Sequence, residues 1–136
     1  MTGNRRKARI IALKALYEID SVARIPVKVV ERLLTGEELP EEITSFVREL
    51  VDGVTRHRED IDGNIHKFAP AWPVDQISLI DRNILRLAIF EILFDNKVPV
   101  KVAVSEAVVL AKTFGSENSA KFVNGVLGSV SSLADR

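Results

Sequence analysis

The chain has 136 residues and no cysteine. That is one domain's worth of core, and it excludes disulfides, thiolate metal sites and a cysteine nucleophile. Lys plus Arg and Asp plus Glu are both 19, for a net charge of +0, which excludes a uniformly basic surface but not a local basic patch.

The charge is unevenly spread. Residues 1–14 carry Arg5, Arg6, Lys7, Arg9 and Lys14 and no acid, whereas residues 31–62 carry ten acids against four bases. A secretory leader would follow its basic stretch with an unbroken apolar run. Here Lys14, Glu18 and Asp20 interrupt it, so a cytoplasmic, soluble chain is expected.

Apolar spacings of three and four over Arg9 to Ser21 predict the first helix, with Arg5, Arg6, Lys7 and Arg9 before or within its first turn. Cations there oppose the helix dipole, and an external phosphate would suit them better. Pro26 opens a second helix that ends at Thr35-Gly36, and Pro40 opens a third along Ile43, Phe46, Val47, Leu50, Val51 and Val54. A short helix over Arg58–Phe68 stops at Pro70 and Pro73, with Ala71 and Trp72 in the linker.

Ser78 is the expected N-cap of a central helix, with Asp81 three residues on. That helix is apolar around most of its circumference through Leu93, and Asp95–Lys97 forms a turn. Pro99 opens the next helix. Gly115 is expected to end it in a left-handed conformation, and Ser116 or a neighbour to cap the last. The fold class expected is all-α: a compact bundle of about seven helices, one domain over 1–136, with helical subdomains at about 5–69 and 76–133.

Candidate chemistry is sparse. No phosphate-binding glycine loop, HExxH or nucleophile motif occurs. His57 and His66 lie in charged helices and suggest no metal site, and pairs such as Asp60/Asp62 read as solvated surface. No catalytic residue, metal or cofactor is expected. Arg86, amid Leu85, Leu87 and Ala88, should be paired and partly buried; Asp81, Asp75 or Glu91 are candidates to meet the charges of Arg82 and Arg86. Glu106, between Val104 and Val108, reads as a structural carboxylate for a cation such as Arg86. Gly125 and Gly128 inside the last helix suggest close helix packing, and Asn124 a side chain serving buried backbone groups.

Three stretches together resemble one family. They are Arg5-Arg6-Lys7-Ala8-Arg9 running into Ala12–Tyr17, Asp81-Arg82-Asn83-Ile84-Leu85-Arg86-Leu87-Ala88, and Val102–Gly115 followed by Asn118-Ser119-Ala120-Lys121-Phe122-Val123-Asn124-Gly125. In order and spacing the chain is similar to the NusB transcription antitermination factors from about Arg5 to Val130.

The resemblance implies a non-enzymatic RNA-binding domain. It would bind the single-stranded boxA element of ribosomal RNA transcripts with ribosomal protein S10 (NusE), in a complex with NusA, NusG and RNA polymerase. It implies RNA contacts at Arg5, Arg6, Lys7, Arg9, Tyr17, Asn118, Ser119, Lys121 and Phe122, and an S10 contact at Asp81. Basic side chains would hold phosphates, an aromatic would stack a base, and amides or hydroxyls would read base edges.

Asn118 stands where several relatives carry an acid, and Gly128 where an acid is more usual, with Asp135 too distant to replace it. The alternative is a protein–protein module of the same fold, binding S10 or a second copy of itself as a homodimer, with little RNA affinity of its own.

Overall fold

The computed structural model describes residues 2–134, with the side chain of Thr2 excepted; Met1, Asp135 and Arg136 lie outside the described residues, and with them the remark on Asp135. The described chain forms seven α-helices: α1 (Thr2–Val22), α2 (Pro26–Leu34), α3 (Glu41–Arg56), α4 (Arg58–Phe68), α5 (Leu79–Ile89), α6 (Val100–Phe114) and α7 (Ser119–Ser131). No strand occurs among the described residues. A 3₁₀ turn over Val74–Gln76 joins α4 to α5, in the linker that Pro70 and Pro73 mark.

Two helices organise the rest. α1 packs on α2, α3 and α5, while α5 packs on α1, α4, α6 and α7. One continuous apolar cluster runs from Ala12 and Leu16 through Val47 and Leu50 to Leu85, Ile89 and Leu127. The stripe Ile43, Phe46, Val47, Leu50, Val51 and Val54 is buried as its spacing predicts.

Ser78 caps α5, its Oγ accepting from the Asp81 N–H at 3.2 Å. The central helix is less regular than its sequence suggests. After Ile89 it widens into a π-helical turn, Phe90–Asp95, and reverses at Asn96 in the left-handed region (φ 57°). In that turn Phe90 and Phe94 stack at 6.5 Å, and His57 stacks on Phe94 at 4.4 Å. Gly53 makes room for this cluster, since a Cβ there would lie 2.1 Å from the Phe90 ring.

Several local expectations are corrected. α1 begins at Thr2, so Arg6, Lys7 and Arg9 lie beyond the first turn and its free backbone N–H groups. Gly115 is extended (φ −90°, ψ −171°), not left-handed. Glycine is required there by proximity, because a Cβ would sit 2.4 Å from Ser119 Oγ and 2.7 Å from the Ala111 carbonyl oxygen. Gly125 and Gly128 are not close-packing positions: a Cβ on either meets nothing within 4 Å. Asn124 is exposed and serves no buried backbone group.

A candidate RNA-binding face

The basic residues of α1 have quite different surroundings. Arg9 is 3% exposed and grips Glu91 through two hydrogen bonds, Nε to Oε2 at 2.9 Å and Nη2 to Oε1 at 2.8 Å. Glu91 is equally buried, in the π-helical turn. Burying two charges is costly, and a bidentate pair is the geometry that offsets it. Arg9 also lies 3.8 Å from Glu106 and over the Phe46 ring. The guanidinium of Arg9 is thus committed inside the fold.

Arg6 makes the same bidentate contact from the surface. Its Nε and Nη2 donate to Glu106 at 3.0 and 2.8 Å, while its side chain stays 43% exposed. A guanidinium has five N–H donors in a planar fork, and among the described residues no other side chain takes the remaining ones. Glu106 thus fixes Arg6 with its outer edge turned to solvent. The hydrogen bonds and charge of Arg6 hold the Glu106 carboxyl below the usual glutamate range against the opposing effect of burial, and Glu106 raises Arg6 in turn. Glu106 therefore serves Arg6 and Arg9, not Arg86.

Arg5 is exposed over the Phe46 ring, 4.6 Å from its centroid. Lys7 is exposed and weakly paired with Glu37 at 3.1 Å. Lys14 is exposed and has no ion pair among the described residues.

Tyr17 lies eleven residues after Arg6, three helical turns along nearly the same face of α1, about 16 Å away. Its ring is 40% exposed and shares a groove of about 670 Å³ with Leu13, Lys14, Ile80 and Phe114. Phe114 follows Glu106 by two turns of α6 and is 37% exposed. On one side of the molecule the two helices are thus joined by the Arg6–Glu106 ion pair, and farther along Tyr17 and Phe114 line one groove. Phe114 was not among the residues singled out in the sequence; only the position of Glu106 on the same helix could have pointed to it.

The loop after Phe114 carries the remaining candidates. Asn118 is exposed and its side chain makes no capping hydrogen bond. Ser119 is buried, and its Oγ accepts from the Ser116 N–H at 2.9 Å. That hydrogen bond closes the loop. Lys121 is exposed with no ion pair among the described residues, and Phe122 is half-buried. Asp81, at the start of α5, keeps its Oδ1 buried with no hydrogen-bond partner.

A second charge cluster joins the far end of α1 to α4 and α5. Asp20 accepts from Arg82 Nε at 2.8 Å, Asn83 Nδ2 at 2.9 Å and Arg86 Nη1 at 2.8 Å. Arg86 also grips Asp62 at 2.8 and 3.0 Å. Burial opposes ionisation of Asp20, but the hydrogen bonds from Arg82 and Asn83 and the nearby arginine charges outweigh it, holding its carboxyl well below the usual range. The partners of buried Arg86 are thus Asp20 and Asp62, not Asp81, Asp75 or Glu91, and Asp62 is not free surface. Among the described residues no group of three His, Asp or Glu could hold a metal ion, and no helix is long and apolar enough to cross a membrane.

Comparison with known proteins agrees with this architecture. Residues 6–132 match the model of the NusB family. A transcription antitermination protein NusB of Dehalococcoides mccartyi (strain CBDB1) is 56% identical over 136 residues, covering 99% of this chain and 95% of that protein. Among solved structures, NusB of T. maritima superposes with a TM-score of 0.91 at 32% identity, over 97% of this chain and 93% of that one. A structure described as antitermination factors NusB and NusE in complex with dsRNA matches with a TM-score of 0.89 at 28% identity, over 98% and 99% of the two chains. By family model, by sequence and by fold, the chain belongs to the NusB family.

Proposed function

We propose that this protein is a transcription antitermination factor that binds the single-stranded boxA RNA element together with ribosomal protein S10 (NusE), supporting ribosomal RNA transcription within an assembly with NusA, NusG and RNA polymerase. The observation that carries the reading is the α1–α6 face, where Arg6 offers its free edge at one end and Tyr17 and Phe114 offer exposed rings at the other. Cations that position phosphates beside aromatics that stack unpaired bases are what single-stranded RNA requires. Arg5, Arg6 and Lys7 take phosphates, Tyr17 stacks, and Asn118, Lys121 and Phe122 extend the contact.

The structural relative bound to NusE and RNA supports the pairing of partners. Asp81, in the first turn of α5, is the S10 contact in this reading. The protein acts by assembly rather than turnover: two weak sites held together raise each other's effective concentration.

The apolar walls of the same groove, Leu13, Val22 and Ile80, favour a second reading, in which the face docks a protein, either S10 or a second copy of this chain. Fluorescence anisotropy of a labelled boxA-type RNA against a scrambled control, with and without S10, separates the two. Sequence-dependent binding that tightens with S10 is expected. Equal, weak binding of both RNAs even with S10 present would contradict the RNA reading and leave the protein module.

A further inference from the structure

Beyond the loop that follows Phe114 lies a second, shallower hollow of about 650 Å³, between the α4–α5 linker and α7. Its walls include Trp72, Asn118, Lys121 and Phe122, and its floor includes Gly125. Trp72, the only tryptophan in the chain, is 56% exposed. Pro70 and Pro73 restrict the backbone around it, and its backbone N–H donates to the Ala69 carbonyl at 3.1 Å. A large apolar ring on a restricted backbone and left in water is a surface built for contact.

We propose that Trp72 is a base-stacking platform, and that the hollow between Trp72, Lys121 and Gly125 receives an unpaired nucleobase of bound single-stranded RNA. This rests on the RNA-binding reading above and extends it to a site outside the α1–α6 face. The charge on the hollow selects the occupant. Lys121 lines it, Lys67 sits 5.3 Å over the neighbouring Phe68 ring, and no carboxylate lines it. A phosphate backbone is matched there, whereas a basic protein segment would find no acid to pair with. The two hollows flank one loop, since Phe114 lines the first and Asn118, four residues on, lines the second.

Gly125 supports the same assignment. It lies mid-helix, where alanine would favour the helix, and a Cβ would meet nothing within the protein. The space it leaves open is the floor of the hollow. Gly128, one turn on, is equally unobstructed but lies outside the hollow, and so serves as the control.

The sole tryptophan makes the test direct. Labelled boxA-type RNA is titrated into the protein with anisotropy and indole emission read together, and an abasic RNA of equal length supplies phosphates without bases. Expected are quenching of Trp72 that tracks binding of the base-bearing RNA, weak or no quenching by the abasic strand, and a roughly tenfold loss of affinity in Trp72→Ala that Trp72→Phe largely restores. Gly125→Ala and Gly128→Ala should both raise Tm, with only the first weakening RNA binding.

RNA that binds by anisotropy while the indole emission stays unchanged would overturn the assignment and leave the RNA-binding reading standing. Wild-type affinity in both Trp72→Ala and Gly125→Ala would do the same. An emission shift produced by S10 alone would give the hollow to a protein instead. No RNA binding in either channel would overturn both readings.

Discussion

Helix α1 is fastened at both ends by arginine–carboxylate clusters, and the two differ in what they leave open. At its C-terminal end, Asp20 draws Arg82, Asn83 and Arg86 into a largely closed knot with Asp62, which Arg58 joins from the surface, 3.4 Å from Asp20. At its N-terminal end, Arg9 and Glu91 form an equally closed pair, but Arg6 and Glu106 stand at the rim with part of the guanidinium in water. The same chemistry therefore does two jobs. A closed cluster spends its donors on the fold, whereas a half-open one holds a cation in fixed orientation with donors to spare. The comparison teaches that a basic sequence run is not a uniform patch. Within five residues of α1, one arginine is structural and its neighbour is poised for an anion.

Breaking the closed knot should have the largest effect. Asp20→Ala leaves Arg82 and Arg86 short of their shared carboxylate, and loss of one member of a buried pair costs about 3–5 kcal/mol. Thermal unfolding should show Tm lowered by on the order of 10 °C; a shift within a degree or two would mean that Asp62 and water satisfy both arginines.

A smaller effect, with a defined pH window, should sharpen the same point. The folded Asp20 carboxyl lies below its ordinary value of 3.8. Its stabilisation is therefore fully present above about pH 4 and is lost as pH falls further toward the lowered value. The stability gap between wild type and Asp20→Asn, measured by denaturant unfolding, should stay constant from neutral pH to about 4.5 and narrow below. A gap that narrows instead between pH 7 and 5 would assign the effect to another group.

Helix positions were legible in the sequence because they depend on local signals. Apolar spacing marked every helix, Pro70 and Pro73 marked the linker, and Ser78 marked the start of α5 by its capping chemistry. That Arg86 is paired and at least partly buried was legible too, from the apolar residues on either side of it; that it is only 3% exposed was not. Its partners were not, because Asp20 lies 66 residues away in sequence and nothing in its own neighbourhood announces the pairing. The burial of Arg9 and Ser119 was not legible for the same reason. Exposure is decided by what packs on top, and here Glu91 and the Gly115–Ser119 turn do so. The π-helical turn at Phe90 escaped notice because it leaves the apolar pattern almost unchanged while shifting which residues share a face.

At the half-open end the expected change in stability is the smallest and the expected change in binding the most telling. Replacing Arg5, Arg6 and Lys7 together by alanine should leave the fold intact and lower Tm less than Asp20→Ala does, since Glu106 loses its bidentate partner but the closed Arg9–Glu91 pair remains and keeps Arg9 within 3.8 Å of Glu106. The decisive measurement is a salt series of boxA-type RNA binding by this triple variant beside wild type, read by anisotropy. The account predicts a folded variant whose affinity at low salt falls at least roughly tenfold. Its slope of log affinity against log salt should be shallower by about 2, the counterions no longer released from three phosphates. An unchanged affinity and slope in a folded variant would contradict the claim that this end of α1 is where the protein meets RNA.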